Sequence, residues 1–272
     1  MKPINPVISL CLLLTLIPFL SATASRSGAQ GSQQMVEPFK IFDNLYYIGM
    51  DWVSAYLVST SDGLIMLDSL YGAFANEAIE NVRKLGFDPA DIQYVIATHG
   101  HGDHASGVGT VQRASGARIG MAAGDWAMVG GVEEDIVIED GDSITLGDTT
   151  LQFYVTPGHT LGVVSIEFDV RDGDQSYKAF MFGGMGLNFS GVDRTEMYLD
   201  SVGRVRAMEG VDVNLTNHPG PARIFERAAQ LEERNPGDPH PFVAPGDFTE
   251  WMRQLQVNAE EKLAEERRGG GR

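Results

Sequence analysis

The chain has 272 residues, 43% of them hydrophobic, and a formal net charge of −17. That is enough apolar material for one large domain or two fused halves. No basic stripe interrupts the acidic balance, so nucleic acid and anionic membrane surfaces are excluded as natural partners and a small-molecule ligand is expected.

In chain order, the first 24 residues read as a secretory signal. Lys2 precedes the apolar run "VISLCLLLTLIPFL", and "SATAS" sets Ala22 and Ala24 at the A-x-A spacing. The run is too short, and too broken by Pro18, for a membrane span. Cleavage after Ala24 gives an exported, periplasmic or secreted protein, and retention as an N-terminal anchor is the alternative. Loss of Lys2 takes the charge from −17 to −18. Cys11 is the only cysteine and leaves with the signal. The mature chain therefore has no disulfide and no thiolate nucleophile or ligand.

Residues 25–38 are small and polar, a flexible lead-in, and the folded domain is expected over 39–266. "KIFDNLYYIGM", "SAYLVST" and "GLIMLDS" have strand composition, with Asp62-Gly63 turning before the last. "AFANEAIENVRKLG" carries Phe74, Ala78, Ile79, Val82 and Leu85 at helical spacing and stops at Gly86. "IQYVIATH" is a short apolar strand, followed by a helix from Asp103 to about Arg113. "DSITLGDTTLQFYV" reads as a hairpin turning at Gly147-Asp148, and "VVSIEFDV" and "YKAFMFGG" are strands about "RDGDQS". Helices follow at about 194–208 and 221–234, with "DVNLTNH" as a strand between them. A Pro-rich loop leads to a last helix through Trp251, Leu255 and Leu263, and residues 267–272 form a disordered tail. Strand-rich runs followed by helices, twice over, predict a layered α/β domain of two similar halves.

Three of the six histidines fall in "THGHGDHASG", as His99, His101 and His104. Residues two apart in an extended segment point to one side, so His99 and His101 can grip one ion. His104, at the start of the next helix, faces elsewhere, and Asp103 beside it supplies a hard oxygen ligand. One short segment thus presents ligands to two adjacent ions and saturates neither. His159 in "VTPGHT" and His218 in "LTNHPG" also follow apolar strands, where α/β folds assemble sites. A lone histidine in such a place is usually a packing residue. The cluster makes both of these candidate ligands. His240, in the Pro-rich loop, reads as a surface residue.

"THGHGDHASG" resembles the H-x-H-x-D-H signature of the metallo-β-lactamase superfamily, and "VTPGHTLGVVSIEF" resembles its next metal motif. "NLYYIGMDWVSAYLVSTSDGLIMLDS" is similar to its opening strands, ending in the family's aspartate at Asp68. The resemblance runs from about Phe39 to Gly220. It implies a four-layered αββα sandwich with the metals at one edge of the sheets. Where many of these hydrolases carry a bridging aspartate, this chain has Gly183-Gly184. What remains is most similar to subclass B3, in which a histidine serves the second ion. Carried over, one zinc takes His99, His101 and His159, and the other takes Asp103, His104 and His218. Relatives with iron tend to have glutamate where this chain has His101, so two Zn²⁺ per chain are expected.

Two such dications share a water and lower its pKa far enough to give hydroxide near neutrality. Asp103 would bind metal and orient that hydroxide, the one catalytic side chain, while Asp68 would hold the ligand loop by hydrogen bonds. An exported B3-like β-lactamase is the first reading. Serines that B3 enzymes use near this stretch to hold the drug's carboxylate are missing from "FGGMGLNFSG", leaving Asn188 and Ser190 as substitutes. That departure keeps open a di-zinc hydrolase of a lactone or other ester, and beyond it a non-catalytic metal-binding protein.

Overall fold

Alternation of apolar side chains decides which way each strand faces. In β3 (Tyr56–Thr60), Tyr56 and Val58 point into the centre of the molecule and Leu57 points out. In β4 (Gly63–Leu67), Ile65 and Leu67 point in, Leu64 and Met66 out. Both faces are apolar, as expected of strands covered on both sides. The computed structural model describes Met1 and residues 33–269, and the account below concerns 33–269.

β3 and β4 belong to a seven-stranded sheet with β1 (Phe39–Phe42), β2 (Leu45–Tyr47), β5 (Ile92–Ile96), β6 (Arg118–Ala122) and β7 (Ile136–Ile138), in chain order. Pairing is antiparallel from β1 to β4 and parallel from β4 to β7. The second sheet has the order β12-β11-β10-β9-β8. Its strands are β8 (Ser143–Leu146), β9 (Thr149–Val155), β10 (Val164–Asp172), β11 (Gln175–Phe182) and β12 (Val213–Thr216), of which only β11 and β12 pair in parallel.

Val164, Ile166, Phe168 and Val170 of β10 meet Tyr56, Ile65 and Leu67 in the core between the sheets. Outside the first sheet pack α1 (Phe74–Lys84) and α3 (Val108–Ser115), through Ala78, Ile79, Val82, Val108 and Val111. Outside the second pack α4 (Val192–Arg206) and α6 (Pro245–Gly269), with Tyr198, Val202 and Met252 against Phe180 and Phe182. A short α5 (Ile224–Glu232) flanks the central core through Ile224. The result is the four-layered αββα order. The halves are alike in plan and unequal in strand number.

α1 shows why a helix forms here. Its buried stripe of Ala75, Ala78, Ile79 and Val82 recurs every three to four residues. Glu77 lies in the first turn and Arg83 and Lys84 in the last, complementing the helix dipole. Gly86, at φ +89°, ends it. Burying Ile79 and Val82 stabilises the fold by roughly 1.5–3 kcal/mol each, and Val82→Asp would break this layer.

Several expectations need correction. β6 and β7 escape a sequence reading, because β6 contains Gly120 and β7 is three residues long. The helix expected over 103–113 is two: α2 (Gly102–Ala105) ends before Gly107, and α3 begins at Val108. A Cβ on Gly107 would lie 2.2 Å from the Ser69 carbonyl oxygen, so the chain turns where only glycine fits. The part of the lead-in from residue 33 is not loose: Met35 pairs with Met50, and Asn81 Nδ2 donates to the Val36 carbonyl at 3.0 Å. The last helix includes Arg267 and Arg268 and reaches Gly269. His240 is buried, stacked on Phe42 at 4.0 Å, and its Nε2 donates to the Ile41 carbonyl at 3.0 Å. The expected signal, with Cys11, lies outside the described residues apart from Met1. No described helix is long and apolar enough to cross a membrane.

Candidate metal centre

Strand ends deliver all six candidate ligands to one place. β5 runs out into Thr98, His99 and His101, with α2 carrying Asp103 and His104, while β9 leads to His159 and β12 to His218. The structure brings them together as two groups, His99-His101-His159 and Asp103-His104-His218, each with its ligand atoms within 4.8 Å of one another. They line one cleft of about 510 Å³ with Met185, Gly186, Asn188 and Asn217. Asn188 is therefore at the cleft, whereas Ser190 is not among its lining residues.

The orientation of each ring is set by what its far nitrogen meets. His159 Nδ1 donates to the Gly186 carbonyl at 2.8 Å, and His218 Nδ1 to the Trp52 carbonyl at 2.6 Å. His104 Nδ1 donates to Asp68 Oδ2 at 2.9 Å. Each bond fixes the tautomer that leaves Nε2 with a free lone pair toward the group. In the first group, His99 Nε2 lies 3.1 Å from His101 Nδ1 and 3.2 Å from His159 Nε2. Zinc–nitrogen bonds of about 2.0–2.1 Å at tetrahedral angles separate neighbouring ligand atoms by about 3.3–3.4 Å. Converging lone pairs at nearly that spacing fit a bound cation. In the second group Asp103 Oδ2 lies 3.3 Å from His104 Nε2 and 3.9 Å from His218 Nε2, a mixed oxygen and nitrogen set that also suits zinc.

Electrostatics of the metal-free groups agree with that fit. Burial, and then the neighbouring rings of His104, His159 and His101, hold His99 well below the usual imidazole range. Burial brings His159 down to about 4, against the Gly186 carbonyl. His218 is lowered by burial and by His104. These three are neutral near pH 7, the form that ligates. Burial also pushes His104 down, but the carboxylates of Asp68 and Asp103 outweigh it and raise its pKa. Asp103 goes the other way: burial favours its neutral form, and the His104 hydrogen bond and charge overcome this to hold it ionised. Without an ion these carboxylates favour the protonated form of His104, and a bound cation would take the place of the proton on Nε2.

Two buried aspartates brace the cage. Asp68 follows β4 in the left-handed region, at φ +57°, and is fully buried. It accepts from the Thr98 backbone N–H at 2.7 Å, from Thr98 Oγ1 at 3.0 Å and from His104. Asp125 was not anticipated from sequence. It follows β6, is equally buried, and accepts from Gly100 N at 2.7 Å, Thr160 Oγ1 at 2.6 Å and Gly162 N at 2.8 Å. One carboxylate therefore ties the loop of His99 and His101 to the loop of His159. Its partners lie 25 to 37 positions away. Only a carboxylate shortly after an unread strand hints at it.

Gly183 directly follows β11 and is buried. A Cβ there would lie 2.0 Å from the Val164 carbonyl oxygen, and its own carbonyl accepts from Asn217 Nδ2 at 2.6 Å. The stretch where relatives carry a bridging carboxylate has no room for one at this position.

Comparison with known proteins agrees with the geometry. Residues 50–173 match the family model of the metallo-beta-lactamase superfamily. A solved subclass B3 metallo-β-lactamase of Bradyrhizobium japonicum is 29% identical, with a TM-score of 0.79 over 86% of this chain and 96% of that one. The native metallo-β-lactamase of Legionella gormanii is 25% identical, with a TM-score of 0.81 over 86% and 98%. Among curated proteins, a hydroxyacylglutathione hydrolase of Cereibacter sphaeroides is 28% identical over 142 residues, 52% of this chain and 54% of that protein. The chain thus matches little more than half the length of that relative. Matched segment, layered fold and paired ligand groups together give this chain the metallo-β-lactamase fold and a site that resembles that superfamily's metal centre.

Proposed function

We propose that the chain is an exported di-zinc hydrolase that opens an acyl bond in a small molecule. The observation that carries this reading is the convergence of two three-residue ligand groups in one open cleft. A storage site would close around its ion, and these groups leave room for a substrate. His99, His101 and His159 would hold one zinc, and Asp103, His104 and His218 the other. Bound there, two dications supply an acidified water and polarise a carbonyl.

The protein's own part is positioning and proton handling. Asp103 offers one oxygen to the second group and has the other with which to orient the attacking water and take its proton. Asp68 and Asp125 hold the two ligand loops at fixed separation, so the cage does not reorganise during reaction. The Gly186 and Trp52 carbonyls hold the His159 and His218 tautomers in the ligating form.

The metallo-β-lactamase neighbours favour a β-lactam as substrate. A second reading, a lactone or other ester, is favoured by the cleft lining: no lysine, arginine or serine hydroxyl stands among Met185, Gly186 and Asn188 to meet a carboxylate. The zinc-loaded chain is expected to cleave at least one compound from a chromogenic cephalosporin and a panel of lactones and esters. Bound zinc with no turnover of any of them would favour a metal-binding role instead.

A further inference from the structure

Beside the cage lies a second cleft of about 580 Å³ that shares Gly102 and Asp103 with the first, so the two adjoin. Its walls are Trp52 and Tyr71, and Gln33 and Ser106 rim it. The two rings meet edge to face, 6.2 Å apart at 70°, and Phe74 continues the row 5.1 Å from Tyr71. On its other side Trp52 is fixed to the cage: its ring lies 5.7 Å from His218, and its carbonyl accepts from His218 Nδ1. All three aromatic side chains keep part of their surface open.

Contiguous open aromatic surface beside a reactive centre selects apolar groups, because water gains by leaving it. Charge points the same way. Among the described residues, no lysine or arginine lines either cleft, and Asp103 is the one carboxylate in both. The nearby cations Arg194 and Lys262 are engaged elsewhere, at 5.8 and 5.2 Å from the Phe189 ring, with Arg194 also donating to the Gly158 carbonyl. A negatively charged substituent in the aromatic cleft would find no lysine or arginine among the lining residues to pair with.

We propose that this cleft is a substrate subsite for an uncharged alkyl or aryl group, carried by the acyl compound whose carbonyl lies at the cage. This rests on the hydrolase reading above. Trp52 and Tyr71 are its specificity-determining residues, and a chain reaching them from the cage passes Gly102, where no side chain intervenes.

The test uses the zinc-loaded full chain and a homologous series of neutral esters from acetyl to hexanoyl. Burial of each added methylene should raise kcat/KM about fourfold. Trp52→Ala and Tyr71→Ala should each flatten that slope, and Trp52→Phe should restore it, with zinc per chain measured in every variant. A turnover-independent arm follows binding of uncharged hexanamide and phenylacetamide by calorimetry, to the native chain and to Trp52→Ala. A slope that survives both alanine variants, a preference for carboxylate-tipped chains, or amide binding unchanged by Trp52→Ala overturns the subsite while leaving the hydrolase reading intact. Amide binding lost in Trp52→Ala, with no ester, lactone or β-lactam cleaved, supports the subsite and overturns the hydrolase reading.

Discussion

The ligand cage and the stretch Gly183–Ser190 border the same cleft and are built in opposite ways. Every cage histidine but His101 has its far nitrogen held by a carbonyl, a hydroxyl or a carboxylate. Behind them stand two buried aspartates that accept three hydrogen bonds each. The facing stretch offers glycine backbone, one methionine and an exposed asparagine. Reaction chemistry needs fixed geometry and is over-determined, whereas substrate contact is left to a few replaceable groups. That contrast explains how one chain can resemble both a β-lactamase and a hydroxyacylglutathione hydrolase.

The sharpest way to break the contrast is at Asp103. Asp103→Ala should lower kcat/KM by about 10²–10⁴-fold, the usual worth of a positioned acid–base group, and weaken the second zinc. Steady-state kinetics with zinc analysis checks both. Next comes Asp125→Ala, which touches no substrate. It strips the acceptor from Gly100 and Gly162, costing roughly 1–3 kcal/mol per buried donor left unpaired. It should also weaken zinc at the His99 group by about 10–100-fold, measured by chelator competition. A smaller effect on the cage than that of Asn188→Ala would invert the comparison.

Asn188→Ala is expected to change KM by no more than about tenfold, the scale of one exposed hydrogen bond, and Ser190→Ala to change nothing measurable. A small effect, on stability alone, belongs to His240, which does not line the cleft. Burial lowers its pKa against the pull of the Ile41 carbonyl. Above the unfolded value of about 6.5 both states are neutral. As pH falls below that value, the unfolded chain gains the proton first and stability declines, levelling off below the folded pKa. Denaturant melts of zinc-loaded protein between pH 5 and 8 should show this slope, and His240→Phe should reduce it.

Much of the cage is legible because its ligands come in tight spacings: four of six lie within residues 99–104, and the other two follow apolar strands. The layer order is legible from alternation in β3, β4, β9 and β10. What stays hidden depends on distant partners. Asp125 acquires meaning only when β6 sets it beside loops more than twenty residues away, and β6 itself carries a glycine. His240 looks like a loop residue until Phe42 and Ile41, 199 positions before it in the latter case, close over its ring. The break before α3 follows from the Ser69 carbonyl pressing on Gly107, a contact no local pattern announces.

The most direct test is zinc titration of the metal-free chain with a calibrated chelator. Two tightly bound equivalents per chain, reduced to one when His99 and His159 are both replaced by alanine, are predicted. Fewer than one equivalent, or uptake indifferent to that replacement, would contradict the account.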